Sequence, residues 1–369
     1  MRLGVFTMPM HDPARDYTQV LEEDRQAIIL ADELGYDEYW VGEHFSSLNE
    51  PVASPLMLMA SVISETKNIV FGTGVINVPQ HHPVAVAAQV AQFDHLCKGR
   101  YIFGVGVGSL VSDVTMVGTG EPPERGQRLM ESLDIINMLW SQDPPYNFEG
   151  KFWNIKLDEG INEEFGVGWV PRPYQQPHPP IAISVLSPNS RTALEAGKRG
   201  WIPLSGNFMH SRHLRSHWNM YAQGAGEAGL PADPSVWRVA RSILIGESTQ
   251  QAMDYVADPA SGISHYYRYF MYSFNRRGIL KMGVNDESMA DEDITLEHFK
   301  DALQIAGDSK TVLDRLIALV DEIGPFGTLL ANGHEWDNAP LMQGSMRRLA
   351  EDVMPKLSQH ADSLRAAAE

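Results

Sequence analysis

The stretch EYWVGEHF, Glu38 to Phe45, decides how the rest of the chain is read. Tyr39, Trp40 and Val41 have the aromatic and β-branched character of a buried strand. Glu43 and His44 follow where such a strand hands over to a loop. In an α/β barrel, catalytic side chains project from that end of a strand. A His–Glu pair serving only a loop or a helix cap is the alternative. Working outward, Leu3–Thr7 is an apolar run that leads into Met8, Pro9 and Met10, which reads as a strand ending in a loop. Tyr17 to Leu34 carries Val20, Leu21, Ala27, Ile28, Ala31 and Leu34 at helical spacing, with Gly35 where a C-cap belongs. The first 45 residues therefore form one β-α-β unit that ends on Glu43-His44.

The unit repeats. Strands are expected at 69–75, 100–107, 181–185, 201–204, 237–245 and 326–330, separated by helical segments. Eight strands in all alternate with helices, so the expected fold class is α/β, a (β/α)8 TIM barrel in a single domain over residues 1–369. A doubly wound open sheet would want a phosphate loop after the first strand, and none is visible. Two stretches break the rhythm. Residues 141–179, after the fourth helix, hold many prolines and glycines and read as an insertion or lid. Residues 261–297, after the seventh strand, read as a second irregular insertion rich in Tyr, Phe, Met and Arg.

The 369 residues, 43% hydrophobic and 21% charged, have globular proportions. Cys97 is the one cysteine, which excludes an intrachain disulfide and a cysteine-rich zinc site and fits a reducing, cytoplasmic setting. No run of 18 apolar residues occurs, so no membrane span is expected. A formal net charge of −18 argues against a nucleic-acid partner; an anionic cofactor would need a local patch of donors.

Several motifs invite a ligand. Gly104, Gly106 and Gly108 alternate within a strand, which does not match a dinucleotide fingerprint. They would clear one face for a flat ligand, or mark a tight barrel corner. Gly72, Gly74 and Asn77 surround the end of the third strand, where either a bulge or an unusual peptide under a ligand would suit them. Ser187-Pro188-Asn189-Ser190 opens a helix, with Ser187 as N-cap and Pro188 at the first helical position; such an N-terminus also suits a phosphate. His210, His213 and His217 share a helical face, but interleaved Arg212 and Arg215 and the lack of a carboxylate disfavour a cation, so no metal is expected.

Five segments in order carry a resemblance: EYWVGEHF, FGTGVINVPQHHP (71–83), KGRYIFGVGVGS (98–109), the run from Pro180 to Gly200, and ANGHEW…EDVMP (331–355). Together they resemble the bacterial luciferase-like flavin monooxygenases along nearly the whole chain. The resemblance implies an α/β barrel in which His44, with Glu43 before it, supports oxygen chemistry on a flavin. It also implies a non-proline cis peptide at Gly74-Val75 beneath the isoalloxazine, flavin contacts from Glu43, Asn77 and Gly106, and phosphate at Ser187 and Ser190. The implied activity is a two-component monooxygenase. Reduced FMN comes from a separate flavin reductase, and O2 adds to it to give a flavin peroxide that oxygenates a small ketone, terpene or N-heteroaromatic. A homodimer is also implied. Where light-emitting members have a reactive cysteine and then an arginine on the fourth strand, this chain has Gly106 and Val107, so light emission is not implied and phosphate contacts must come from elsewhere. PRPYQQPHPPIAISVLSPNS (171–190) is closer to limonene-type and pyridine-ring monooxygenases. Two other readings remain, a deazaflavin-dependent dehydrogenase of the same superfamily and a non-catalytic flavin-binding protein.

Overall fold

The computed structural model describes residues 1–7 and 10–368; Met8 and Pro9, part of the loop expected after the first strand, lie outside the described residues. Among the described residues eleven strands run in chain order: β1 (Arg2–Thr7), β2 (Glu38–Val41), β3 (Val70–Thr73), β4 (Tyr101–Val105), β5 (Tyr146–Glu149), β6 (Asn154–Leu157), β7 (Ile181–Val185), β8 (Ile202–Ser205), β9 (Arg238–Ile245), β10 (Gln304–Gly307) and β11 (Thr328–Gly333). The principal helices are α1 (Tyr17–Glu33), α2 (Pro55–Ala60), α3 (Pro83–Leu96), α4 (Val111–Val117), α5 (Pro122–Ser141), α6 (Arg191–Arg199), α7 (Leu214–Glu227), α8 (Thr249–Ala257), α9 (Gly262–Arg277), α10 (Leu296–Leu303), α11 (Ser309–Ile323), α12 (Ala339–Arg348) and α13 (Met354–Ala368).

All pairings among β1–β4, β7–β9 and β11 are parallel, and the β8–β9 and β11–β1 contacts close the eight strands into the expected TIM barrel. Side chains alternate along each strand. Phe6, Trp40, Ile102, Ala182, Ile202, Leu204, Ala240 and Leu330 point inward and fill the barrel, while the opposite faces pack under the helices. The register sets Trp40 beside Gly72. A Cβ on Gly72 would lie 2.3 Å from the Trp40 indole, so the glycine makes room for the largest side chain in the barrel.

Both interruptions differ from expectation. Residues 141–179 do not cover the mouth of the barrel. Helix α5 carries the chain back toward the strands' N-terminal end, where Gln175 bonds the Asp94 carboxylate and the carbonyl of Tyr101, the first residue of β4. The β5–β6 hairpin then lies along the outside of α5 and α3, with Glu131 accepting the N–H groups of Lys151, Phe152 and Trp153, and Trp153 edge-on to His82. Residues 261–297 are not irregular throughout. Ser261 caps α9, whose Ile263, Tyr266, Tyr267, Phe270 and Phe274 form a buried face at helical spacing. The aromatic richness that looks like loop composition is the apolar stripe of a helix. Three further elements were not expected: the short helix α4 after β4, helix α10, and strand β10, which extends the sheet along the C-terminal half of β9.

The alternating glycines of β4 are explained by a bulge in β3. After Gly72↔Ile102 the ladder is interrupted; Thr73 Oγ1 accepts from Gly104 N–H at 2.9 Å and donates to its carbonyl at 2.7 Å, and pairing resumes at Ile76↔Val105. The Thr73 carbonyl sits 1.7 Å from where a Gly104 Cβ would stand, and the Val75 side chain 2.4 Å from that of Gly106. Gly108, at φ +75°, would meet Gln80 at 2.7 Å. These glycines do not clear a face for a flat ligand; they admit the backbone and side chains of β3 and its loop. Gly104→Ala is therefore expected to destabilise the fold by about 3 kcal/mol or more, through overpacking against backbone that cannot give way. Gly126→Ala in α5, where nothing lies within 4 Å, is expected to stabilise by about 0.4–1 kcal/mol. Urea unfolding of the two variants checks both signs.

Candidate active site

Strand β2 spans the barrel from end to end. Its first residue, Glu38, is buried at the N-terminal end, and the residues just past its last place a histidine at the opposite mouth. His44 N–H donates to Val52 O at 3.0 Å, which turns the loop back on itself. The imidazole is held from a second element. Asp113, in the first turn of α4, accepts from His44 Nδ1 at 3.2 Å, from Phe45 N–H at 3.1 Å and from Ser46 N–H at 2.8 Å. It also takes a close hydrogen bond from the Ser46 hydroxyl.

The electrostatics follow from these contacts. Burial works against the Asp113 carboxylate, but the bonds from His44, Ser46 and Phe45 N–H outweigh it and hold its pKa down at about 2. An ionised carboxylate only accepts, so Nδ1 of His44 carries the proton and Nε2 is left for other business. Burial likewise works against the charged ring of His44, but Glu50, Asp113 and Glu43 together raise its pKa. Glu50 stands on the other side of the ring, with Oε2 3.5 Å from Nε2. Glu50 is 2% exposed, and neither carboxyl oxygen has a hydrogen-bond partner by geometry among the described residues. Burial pushes its pKa up, with His44 and the neighbouring Tyr269 opposing.

His44 and Glu50 line a cavity of about 360 Å³ at the mouth. Its walls are mainly apolar: Leu110 and Val111 at the start of α4, Leu186 after β7, Phe208 after β8, and Tyr269, Phe270 and Phe274 on α9. Phe208 stacks on Phe270 with ring centroids 5.2 Å apart. Helix α9, and not the 141–179 segment, supplies the wall opposite His44.

The expected site residues fall into groups. His44 faces the mouth cavity. Glu43, its neighbour, does not line it. The Glu43 carboxylate accepts Asn77 N–H at 2.9 Å and lies 3.0 Å from His81 Nε2, and the Asn77 amide donates to Glu43 O at 3.0 Å. Glu43 and Asn77 thus clasp the loops after β2 and β3, beside a separate cavity that also meets α2 and α3. The Gly74-Val75 peptide is cis, at the position expected. Its Val75 side chain covers Gly106. In the loop after β7 the cap is Ser190, which accepts from Thr192 N–H at 3.2 Å; Ser187 is not the cap, and its carbonyl accepts from His217 at 3.0 Å. Asn189, at φ +49°, gives its N–H to Ser216, and this turn delays the helix start to Arg191. The Ser187 side chain is exposed. The three helical histidines do not converge: His210 meets Asn285, His213 meets Glu287, and His217 is buried against Ser205 with its pKa lowered to about 4 by burial. Among the described residues no cluster of His, Cys, Asp or Glu has metal-holding geometry.

Sequence reasoning missed Asp113 and Glu50. Asp113 sits in a short helix within the glycine-bounded GSLVSDVTMVGTG (108–120), which has loop composition. The available signal was an acidic residue just past the C-terminal end of a barrel strand, the face where the site had to be.

A family model described as luciferase-like monooxygenase matches residues 1–325. The chain belongs to this family. It is 27% identical over 375 residues to 3,6-diketocamphane 1,6-monooxygenase of Pseudomonas putida, covering 97% of this chain and 98% of that one. The solved structure of the oxygenating constituent of 3,6-diketocamphane monooxygenase, a type II Baeyer-Villiger monooxygenase in complex with FMN, superposes with a TM-score of 0.87 at 28% identity, covering 96% of this chain and 98% of that one. The oxygenase component of flavin-dependent trigonelline monooxygenase from Acinetobacter baylyi is 25% identical over 97% of this chain and 96% of its own length. An F420-dependent glucose-6-phosphate dehydrogenase of Amycolatopsis mediterranei is 24% identical over 89% of this chain and 92% of its own. No helix among the described residues is long and apolar enough to cross a membrane.

Asp113 has a pH signature. A carboxyl held at about 2 contributes its full stabilisation above the ordinary aspartate range near pH 4 and loses it as pH falls toward 2. Asp113→Asn should be less stable than the parent at pH 6, and the gap should close between pH 4 and 2, as read by thermal unfolding across that range.

Proposed function

We propose that the protein is the oxygenase component of a two-component monooxygenase that uses reduced FMN and O2 on a small, largely apolar organic substrate. The observation that carries this reading is His44: an imidazole oriented by a buried aspartate, at the C-terminal end of a barrel strand, facing an apolar cavity. The FMN-bound relative at 28% identity supports the cofactor, and the relative named as an oxygenase component supports a separate flavin reductase as partner.

The residues present fit a flavin. The carboxyl of Glu50, buried and without a partner among the described residues, and the Nε2 of His44 face one cavity, and Ser187 and Ser190, in the turn that follows Leu186 at its edge, are the candidate donors toward a phosphate. Ser190 offers its O–H even while its oxygen caps α6. The cis Gly74-Val75 peptide and Gly106 belong to the bulge at the same end of the barrel, where the ring system would rest. Glu43 and Asn77 act behind this surface, as a clasp that sets the loop carrying His44. Bound in reduced form, the flavin supplies the electrons that activate dioxygen. The chain's own part is to hold the ring in place, to move a proton at His44 Nε2, and to exclude water with Phe208, Phe270, Phe274, Leu110 and Leu186. The relatives' names extend the substrate range from a bicyclic diketone to an N-heteroaromatic, and a compact ketone, terpene or heteroaromatic ring suits this cavity.

As in the expected homodimer, a second copy would cover helices near β2 and β3, where Met57 and Leu96 are exposed. The F420-dependent relative favours one competing reading, hydride transfer from a deazaflavin without oxygen. Anaerobic titration with reduced FMN against reduced deazaflavin separates the two; FMN is expected to bind at lower concentration. Substrate oxygenation is expected with a reductase, NADH and FMN, and His44→Ala should lower it by about 100-fold, the usual scale for loss of a general acid–base group. Turnover by the purified protein on NADH alone would overturn the two-component reading.

A further inference from the structure

Glu50 has no part in the chemistry of the reading above, yet it is the more anomalous of the two groups in the mouth. It is a carboxyl group 2% exposed, with neither oxygen hydrogen-bonded among the described residues, set 3.5 Å from the one imidazole nitrogen that Asp113 leaves free. A buried carboxyl without hydrogen bonds costs several kcal/mol in its charged form unless a cation faces it, on the order of magnitude for a desolvated ion. A carboxyl kept for packing alone would be replaced by an amide or an apolar group at no loss. Here burial favours the neutral acid, which can hold a proton opposite that nitrogen.

We propose that Glu50 is a positioning residue that acts through His44, storing a proton opposite Nε2 and returning it to the ring after the ring has given one up. This rests on the reading of His44 as the group that moves a proton. The balance is simple. The N–H bond at Nε2 of the imidazolium breaks as its proton passes to a basic atom of the ligand in the cavity. The O–H of the Glu50 carboxylic acid then breaks, its proton forms a new N–H bond at Nε2, and an ion pair of carboxylate and imidazolium remains. The site has lost one proton, which solvent restores on opening. Asp113 stays ionised throughout and keeps the ring oriented.

The groups that face this pair support the arrangement. From the loop after β2 come Glu43 and Glu50 itself, from α4 Asp113, and from α9 Tyr269, with Tyr272, Arg276 and Arg277 farther round the cavity wall. Burial and the nearby Glu50 carboxyl raise the Tyr269 phenol, so it stays protonated beside Glu50. Glu50 and His44 each have a raised pKa, Glu50 through burial and His44 through Glu50 and its other acidic neighbours against burial, which is the pattern of two sites that share protons.

The test is a nitrogen-15 NMR titration of the His44 ring in the flavin-free parent protein, in Glu50→Gln and in Glu50→Asp. Glu50→Gln is expected to lower the His44 midpoint by about one pH unit or more, a tenfold fall in proton affinity, while Glu50→Asp retains most of it. An unchanged midpoint in Glu50→Gln overturns the proposal. Should Glu50→Gln fold too poorly to titrate, carbon-13 labelling of the parent decides: a Glu50 carboxyl transition that coincides with that of His44 supports the pair, and an independent transition in the ordinary glutamate range overturns it. In turnover, the alkaline limb of the kcat/KM profile should move to lower pH in Glu50→Gln by the same amount; a purely structural defect would lower activity equally at every pH. FMN affinity, read by flavin fluorescence, is a separate arm. Its absence would defeat the functional reading and leave the ring titration able to decide the role of Glu50.

Discussion

Glu38 and Arg238 meet inside the N-terminal end of the barrel, 200 residues apart in sequence, with Oε1 2.8 Å from Nη2. The same carboxylate accepts from the Trp40 indole at 2.9 Å and from the Thr328 hydroxyl at 3.3 Å, and Arg2 lies 3.5 Å away. These residues come from the starts of β1, β2, β9 and β11, so one carboxylate gathers the strands that close the barrel. A buried pair of this kind adds little net stability over apolar packing, but its partners cannot be separated without leaving a charge stranded. It therefore works as a register pin. With Glu38 held, Trp40 lies in the central layer, Gly72 must be small, and the strand delivers Gly42, Glu43 and His44 to the mouth.

The bulge on β3 is the second consequence of that register. Thr73 spends its hydroxyl on β4, its carbonyl packs over Gly104, and the chain makes up the displaced pairing through Ile76. The glycines of β4 are the complement of this bulge. They show how a repeat that suggests ligand clearance arises from one strand leaning on another. The bulge also places Asn77 where Glu43 can bind its N–H, so the loops after β2 and β3 lock together through a buried carboxylate. Two adjacent acidic and basic residues, Glu43 and His44, thereby serve opposite purposes. One is consumed in holding the loops, and the other is presented to the cavity.

The site is completed by elements far from β2 in sequence. Asp113 arrives on α4 and orients the ring; α9 crosses the mouth and supplies the aromatic wall. Between them they create a small region in which a carboxylate of low pKa, an imidazole of raised pKa and a carboxyl of raised pKa stand in a row. Such divergence among neighbouring titratable groups is what acid–base chemistry requires, and it is produced by unequal hydrogen bonding: Asp113 has four donors and Glu50 none among the described residues.

The sequence by itself determined the barrel, because strand and helix periodicities are local and eight repeats of one unit leave few ways to close. It also determined that His44 would stand at the mouth, since the apolar run Tyr39–Val41 must end before a polar pair can appear. The cis peptide at Gly74-Val75 and the five ordered motifs were legible through resemblance. Only the tertiary structure decided what surrounds the histidine. Whether Glu43 faces a ligand or a neighbouring loop depends on Asn77 and His81, which composition does not reveal. Whether residues 141–179 or α9 stand opposite the site depends on which way α5 returns the chain, and it returns it to the far end of the barrel. Asp113 and Glu50 stayed hidden for the same reason: a carboxylate acquires its pKa and its purpose from contacts across the fold, and those contacts do not exist until the barrel has closed.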